Sequence, residues 1–370
     1  MKLSKVIARI EERFPKVWME DWDFAGLLVG DLWADIERIL LALDPTHDVV
    51  NEAADKGVDL LITHHPPGLT PPSNIVKGDA DGGTYYEAVK ANLALYVLHT
   101  AWDVSRVSPS FAIAGQLDLL DPSVLFPTDK GKLLKLAVFV PDDHLDAVRE
   151  AITSAGAGHI GNYSDCTFSA PGEGTFRPGS GTKPYSGKTG ELKREKERRL
   201  ETIVPTQKLT AVIGAMLKAH PYEEVAYDIY ALENAPGQIG IGAVGDLPRP
   251  MTIVELAQTL KGILPAANIS ACGKSETRIS RVAVIGGSGG DYIDHVRAKG
   301  ADALITGEMK YHQLRQAEAL GITVILAGHF ATEWVGLPLL KSELEKAIWE
   351  KPGEGIIEIA SAEHGPLWNV

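Results

Sequence analysis

Two stretches of this 370-residue chain repeat one another, and the repeat limits what the chain can fold into more than any other feature. Arg38 to Thr63 (RILLALDPTHDVVNEAADKGVDLLIT) aligns without a gap to Arg281 to Thr306 (RVAVIGGSGGDYIDHVRAKGADALIT), at a constant offset of 243 residues and with eight of 26 positions identical. In the first copy a buried strand at Arg38–Asp44 leads to a helix near Val49–Lys56. Gly57 stops that helix, and Val58–Thr63 is the next strand; the rhythm is β-α-β. Further along, His99 and Asp103 close one apolar run (LALYVLHTAWD) and His329 and Glu333 close another (TVILAGHFATE), with the same spacing of four. The expected fold class is therefore α/β: two pseudo-symmetric halves, 1–128 and 236–370, forming one core.

Residues 129–235 have a different character. Lys132–Val140 reads as a strand and Asp142–Ser154 as a helix opened by a good N-cap. A strand near Leu200–Val204, a helix near Thr206–Lys218 and a strand at Val225–Leu232 follow. Two such units in about 100 residues suggest an inserted α+β ferredoxin-like domain. Within it, Pro171–Gly190 has the composition of a mobile loop. Glu191–Arg199 is a charge run read as a solvated face, and Asn234–Pro250 reads as a return linker. His220-Pro221-Tyr222-Glu223-Glu224 reads as a helix end and turn.

The formal charge of −13 argues against nucleic-acid binding and against anionic membranes, since no basic field exists to displace phosphate counterions. Cys166 and Cys272 are the only cysteines, so neither a disulfide framework nor a four-thiolate site is available within one chain, and both read as structural thiols. Residues 1–9 read as the start of an amphipathic helix rather than a signal peptide. No stretch reaches the ~18 uninterrupted apolar residues of a spanning helix, so a cytoplasmic location is expected.

Four segments carry His or carboxylate groups just after strands: Thr63-His64-His65-Pro66-Pro67, His99-Thr100-Ala101-Trp102-Asp103, Thr306-Gly307-Glu308 with His312, and Gly328-His329 with Glu333. In β-α-β sheets such ends converge on one cleft. A lone His99 or His312 reads as a hydrogen-bonded structural residue. The pair His64-His65 turned by Pro66-Pro67, together with His-x-x-x-Asp and His-x-x-x-Glu, reads as a metal centre, because clustered imidazoles and carboxylates have little other structural use. Gly286-Gly287-Ser288-Gly289-Gly290 follows a strand and precedes a helix. It reads either as a close-packed turn or as a cradle of N–H groups for a phosphate-bearing substrate at Gly286, Gly287, Ser288 and Gly289.

These motifs, with Trp22-Asp23-Phe24-Ala25-Gly26-Leu27-Leu28-Val29-Gly30, resemble those of the GTP cyclohydrolase 1 type 2 homologue family, also called the NGG-interacting-factor-three-like family. The resemblance spans the chain, and the insert is similar to that of the longer bacterial members. It implies a dinuclear metal site on His64, His65, Asp103, His329 and Glu333, with Glu333 between the ions, and a toroidal homo-oligomer, commonly a hexamer, with its sites facing an internal cavity. The chain departs from the family pattern at Asp21-Trp22-Asp23-Phe24, at Ala101-Trp102 and at Thr306-Gly307-Glu308. None of these changes removes an implied ligand.

The repeat adds expectations of its own. It pairs Asp103 with Glu333, His99 with His329, and His65 with Glu308. His99 is then a group that orients a ligand or contacts water, and Glu308 an orienting group or acid/base catalyst. The expected function is a hydrolase using two divalent ions (zinc, iron or manganese) on a small-molecule or nucleotide substrate, of GTP cyclohydrolase or phosphoesterase type. The alternative is a non-catalytic metal-handling scaffold that docks partners.

Overall fold

The computed structural model describes every residue except 80, 81, 129, 131, 234–238, 267, 352 and 368–370. It divides into two compact units, residues 1–128 with 238–370, and residues 129–237.

The first part of the larger unit runs α1 (Leu3–Arg13), β1 (Gly26–Val29), β2 (Arg38–Ala42), α2 (His47–Asp55), β3 (Leu60–Thr63), α3 (Gly83–Lys90), β4 (Ala94–Val97), α4 (Thr100–Asp103), α5 (Pro109–Gln116) and β5 (Leu120–Pro127). The smaller unit runs β6 (Leu133–Pro141), α6 (Leu145–Ser154), β7 (Thr167–Phe176), β8 (Lys193–Pro205), α7 (Leu209–Ala219) and β9 (Tyr227–Ala231). The larger unit then resumes with β10 (Gly240–Thr252), α8 (Ile253–Ile263), β11 (Ser270–Cys272), β12 (Arg278–Ser288), α9 (Ile293–Ala298), β13 (Ala303–Glu308), α10 (Tyr311–Ala319), β14 (Thr323–Leu326), α11 (His329–Trp334), α12 (Leu337–Ile348) and β15 (Ile356–Ile359).

The larger unit holds two sheets, ordered β1-β4-β3-β2-β15 and β11-β14-β13-β12-β10-β5. The parallel trio β2-β3-β4 corresponds to β12-β13-β14, and each trio carries an antiparallel edge strand, β1 or β11. The strands read as continuous apolar runs because both faces are covered. In β2, Ile39 and Leu41 face a core shared with α1 and α12, while Leu40 and Ala42 face α2. In β12, Val282 and Val284 face α5 and α8, while Ala283 and Ile285 face α9 and α10.

The repeat extends to individual hydrogen bonds. Asp59 Oδ2 accepts from the amides of Glu37 and Arg38, and Asp302 Oδ2 from those of Ser280 and Arg281. Gly57 and Gly300 take φ of +63° and +66° just past their helices, a conformation that favours glycine.

The third strands obey a different offset. Thr63 carbonyl accepts from Leu98, and Thr306 carbonyl from Ala327; the next bonds run from His99 to His64 and from Gly328 to Gly307. The backbone partner of His99 is therefore Gly328, one residue before His329, and both positions have positive φ. The expected pairings of His99 with His329 and of Asp103 with Glu333 are thus displaced by one residue. The shared spacing of four concealed the slip, because β4 and β14 begin at a different offset from the strands before them.

In the smaller unit the β-α-β-β-α-β order forms an antiparallel sheet, β7-β8-β6-β9, the split-βαβ arrangement. Leu136, Val138, Val140, Leu200 and Val204 pack on α6 and α7. Asp142–His144 is a 3-10 turn, and the N-cap of α6 makes no side-chain hydrogen bond. Two sequence expectations are corrected and a third is refined. Pro171–Phe176 continues β7 instead of looping, because ladder bonds to β8 hold it and the proline sits on an edge strand. The charge run is solvated at Arg194, Lys196 and Arg199, as expected, and from Lys193 it forms the start of β8, with Arg194 paired to Glu173 across the sheet and Glu197 buried. Residues 240–250 belong to β10, where pairing with β5 and β12 outweighs their glycine content; the start of the expected linker lies outside the described residues.

Candidate metal centre

Parallel strands bring their C-terminal ends to one side, and the larger unit uses those ends to gather imidazoles and carboxylates. His64 and His65 follow β3. His99 follows β4 and caps α4, whose last residue is Asp103. His329 and Glu333 lie one turn apart on α11, where the i, i+4 spacing puts them on one face.

His64 Nε2 is 3.5 Å from Asp103 Oδ1 and 3.6 Å from Glu333 Oε1. His65 Nε2 is 3.3 Å from Glu333 Oε2, and His329 Nε2 is 3.1 Å from Glu333 Oε1. The two longest separations are too great for good hydrogen bonds. They suit ligands sharing an ion: donors about 2.1 Å from a tetrahedral metal stand about 3.4 Å from one another. His64, His65 and Glu333 form a group whose ligand atoms lie within 4.8 Å of each other and could hold a metal ion. Glu333 Oε2 and His64 Nδ1 are buried without hydrogen-bond partners. Buried polar atoms left in this state, beside three imidazoles and a second carboxylate, fit a cation.

A ring of carboxylates holds the imidazoles from behind. His65 Nδ1 lies 2.9 Å from Asp44 Oδ1, His329 Nδ1 lies 3.1 Å from Glu308 Oε1, and His99 Nδ1 lies 2.6 Å from Asp23 Oδ1. A carboxylate only accepts, so each ring donates from Nδ1 and turns Nε2 the other way. Asp23 also accepts from the amide and hydroxyl of Thr100, which fixes it at the start of α4. The wall behind His64 is Trp102, fully buried, edge-on at 5.0 Å and anchored by its indole N–H to the Val107 carbonyl.

Charges in the cluster are interdependent. Burial opposes ionisation of Glu333, yet the imidazoles of His64, His329 and His65 hold its carboxyl well below the usual range. Burial pushes Asp103 up, with Glu333 adding to the rise and the imidazoles opposing it. The hydrogen bond to Glu333, helped by Glu308 and opposed by burial, raises His329 to about 9. His65 is raised too, since Asp44 and Glu333 outweigh its burial. For Asp23, the bonds from His99 and Thr100 outweigh burial and bring the carboxyl down.

The structure brings His64, His65, Asp103, His329 and Glu333 together, with Glu308 against His329 and the His99 ring 5.6 Å from that of His64. His312 lies on α10 outside this group. Gly286, Gly287 and Ser288 are the last residues of β12. The Gly286 amide donates to the Ser110 hydroxyl and the Gly287 amide to that of Thr332. Gly287 also lies tight against the cluster, where a Cβ would stand 2.3 Å from Glu333 Oε1.

Asp44 and Asp23 were not marked as site residues by the sequence reading. Asp44 stands at a strand end like the others, and the repeat aligns it with Gly287, so the missing side chain in the second copy hid its role. Asp23 sits in the Trp-Asp-Phe motif but carries no spacing relation to His99, 76 residues later.

Among the described residues no helix is long and apolar enough to cross a membrane. Residues 1–363 match the Duf34/NIF3 (NGG1p interacting factor 3) family. A Halalkalibacterium halodurans protein named GTP cyclohydrolase 1 type 2 homolog is 40% identical over 362 residues, covering 98% of this chain and 97% of its own length. One of the same name from Bacillus subtilis is 41% identical over 328 residues, covering 89% and 88%. The crystal structure of a Bacillus cereus protein related to NIF3 shares 36% identity and a TM-score of 0.86, covering 100% of this chain and 99% of that one. The chain therefore belongs to the Duf34/NIF3 family, the one its strand-end motifs resemble.

Proposed function

We propose that this protein is a hydrolase dependent on two divalent ions, held by His64, His65, Asp103, His329 and Glu333, with Glu333 reaching both. The observation that carries the reading is the meeting of three imidazole nitrogens and two carboxylates at 3.1–3.6 Å. Imidazole-rich ligation favours zinc, iron or manganese over magnesium or calcium. When bound, such ions supply Lewis acidity that polarises a carbon or phosphorus centre and makes water a nucleophile near neutral pH.

The chain's own residues do the rest. Asp44 and Glu308 fix the rings of His65 and His329, so their Nε2 atoms are aimed before anything binds. Asp23 leaves His99 Nε2 free to hold or pass a proton beside the cluster. Glu308 is the second proton-handling candidate, being exposed as well as bonded to His329. The names of the relatives make purine-ring hydrolysis of GTP the first substrate to try, and phosphoesters the second. A phosphate-bearing substrate would approach along Ser288 and Gly289, since the amides of Gly286 and Gly287 already donate to Ser110 and Thr332. A cytoplasmic homo-oligomer, a hexamer by family likeness, completes the proposal.

The test is metal content per chain for the wild type and for His64→Ala/Glu333→Ala, coupled to hydrolysis assays on GTP and generic phosphoesters. Two ions per chain with metal-dependent turnover supports the hydrolase. Two ions without turnover moves the reading to a metal-handling scaffold, and no metal after metal-replete purification overturns both.

A further inference from the structure

The 129–237 unit contains a cavity of about 640 Å³, on the face of its sheet opposite α6 and α7. The segment 177–185 and the turn after α7 complete its walls. We propose that this cavity binds a small organic cation, an ammonium or guanidinium compound, with Glu197 as its counter-charge and Phe176, Tyr185 and Tyr222 as its aromatic wall.

Glu197 is the first reason. It lines the cavity on β8 yet is only 9% exposed. Among the described residues its carboxylate takes one hydrogen bond, from the Tyr222 hydroxyl at 2.8 Å, and no lysine, arginine or histidine pairs with it. A buried carboxylate without a cation is costly unless something supplies the charge. Gly174 on β7 lies directly against the carboxylate: a Cβ there would stand 2.1 Å from Glu197 Oε2, so a larger residue would have to push the Glu197 side chain aside.

The aromatic residues are the second reason. Tyr185 and Tyr222 have ring centroids 5.7 Å apart, and Phe176 lies 6.1 Å from Tyr222. Ring faces with a carboxylate behind them attract an organic cation through the ring quadrupoles and the full charge together. Tyr222 is itself fixed, since its amide donates to His220 Nδ1 while His220 Nε2 donates to the Phe139 carbonyl. The His-Pro-Tyr-Glu-Glu segment thus does more than end a helix: it carries one wall of the cavity.

The remaining charges agree. Glu173, Glu197, Glu223 and Glu224 line the cavity against Arg177 and Arg199. Glu173 is paired with Arg194 and Arg199 with Glu201, which leaves Glu197, Glu223 and Glu224 facing Arg177 alone, itself donating to the Gly190 carbonyl, so the lining stays net negative. The volume suits an organic molecule of drug-fragment size rather than a bare ion.

The experiment titrates the full-length protein calorimetrically with choline, L-arginine and spermidine, and separately with GTP. Saturable binding of at least one cation, one per chain, is expected. Glu197→Gln should weaken it at least tenfold and Tyr185→Ala several-fold, with metal content unchanged in both. Glu197→Gln keeps an acceptor for Tyr222 and removes the unpaired charge, so it should also raise the melting temperature of the ligand-free protein and abolish the rise that the cation gives the wild type. If Glu197→Gln does not fold, Tyr185→Ala decides alone, because Tyr185 is 45% exposed and lies outside the hydrophobic core of this unit. The proposal falls if none of the three cations binds, if binding is indifferent to the available variant, or if GTP displaces the cation competitively.

Discussion

Gly287→Ala tests the geometry of the proposed metal centre with one methyl group. Gly287 has φ +66°, and a Cβ there would stand 2.3 Å from Glu333 Oε1 and 3.1 Å from His329 Nε2. Bringing the first contact out to even 3.0 Å moves the carboxylate by 0.7 Å. Metal–ligand distances tolerate about 0.2 Å, so the shift takes Glu333 out of coordinating range. The left-handed backbone adds about 1 kcal/mol of strain for any residue with a Cβ. Gly300→Ala separates the two effects, since Gly300 has the same φ of +66° with nothing within 4 Å of its Cβ position. The control should lose about 1 kcal/mol, roughly 2–4 °C in melting temperature, and keep its metal. Gly287→Ala should suffer the same strain and bind metal at least tenfold more weakly at fixed free metal. The assay is elemental analysis after dialysis against a metal buffer, paired with melts in the presence and absence of chelator. Wild-type metal content in Gly287→Ala would refute the argument that Glu333 needs the space Gly287 leaves.

Asp44→Ala leaves His65 Nδ1 without its acceptor and should weaken metal binding 10- to 100-fold in a free-metal titration; unchanged affinity would mean that Asp44 does not orient the ring. Glu308→Gln retains an oxygen for His329 and should keep metal content while losing turnover, so metal loss in this variant would make Glu308 a ligand. Glu52 joins α2 to the amides of Ser361 and Ala362 and to Lys56; against the effect of burial, these hold its carboxyl down to about 2. A depressed carboxyl stabilises the fold above its unfolded pKa, and the contribution disappears as the pH falls from about 4.5 towards 2. Glu52→Gln should therefore cost about 1–2 kcal/mol at pH 7 after allowance for solvent screening, with the gap to wild type closing in acid; a gap independent of pH in urea titrations would contradict this. Chelation should lower the melting temperature of the wild type, by the equivalent of about 2.7 kcal/mol when free metal had been 100 times its dissociation constant, and should not affect His64→Ala/Glu333→Ala.

The sequence made the doubled β-α-β core legible because burial on both faces leaves uninterrupted apolar runs, and Arg38–Ala42 and Val282–Ile285 show it plainly. The strand-end histidines were legible for the same reason, as polar groups placed where apolar runs stop. What escaped was set by tertiary pairing. Residues 171–176 and 240–250 look like loops by composition, yet ladders with their neighbours make strands of them. The equal His-x-x-x-carboxylate spacings pointed to equivalent residues, while the backbone bonds of His99 and Gly328 show a displacement of one. Asp23 and Asp44 escaped because a carboxylate that orients a ring through one hydrogen bond needs proximity alone, and proximity across tens of residues leaves no periodic trace.

The position of β15 bears on how the protein is made. This strand lies parallel to β2 and completes the first sheet, with Ile356 to Ile359 beside Arg38 to Leu41. During synthesis β2 thus waits for roughly 310 further residues, which at about 5–20 residues per second is some 15–60 seconds on the ribosome. Through that interval the apolar strand Arg38–Ala42 is an open edge, the kind of surface that pairs with other chains. The cluster waits almost as long, because Glu333 emerges well after His64, His65 and Asp103. A nascent chain released early would carry three of the five proposed ligands and a bare sheet edge, the kind of surface that cellular quality control recognises.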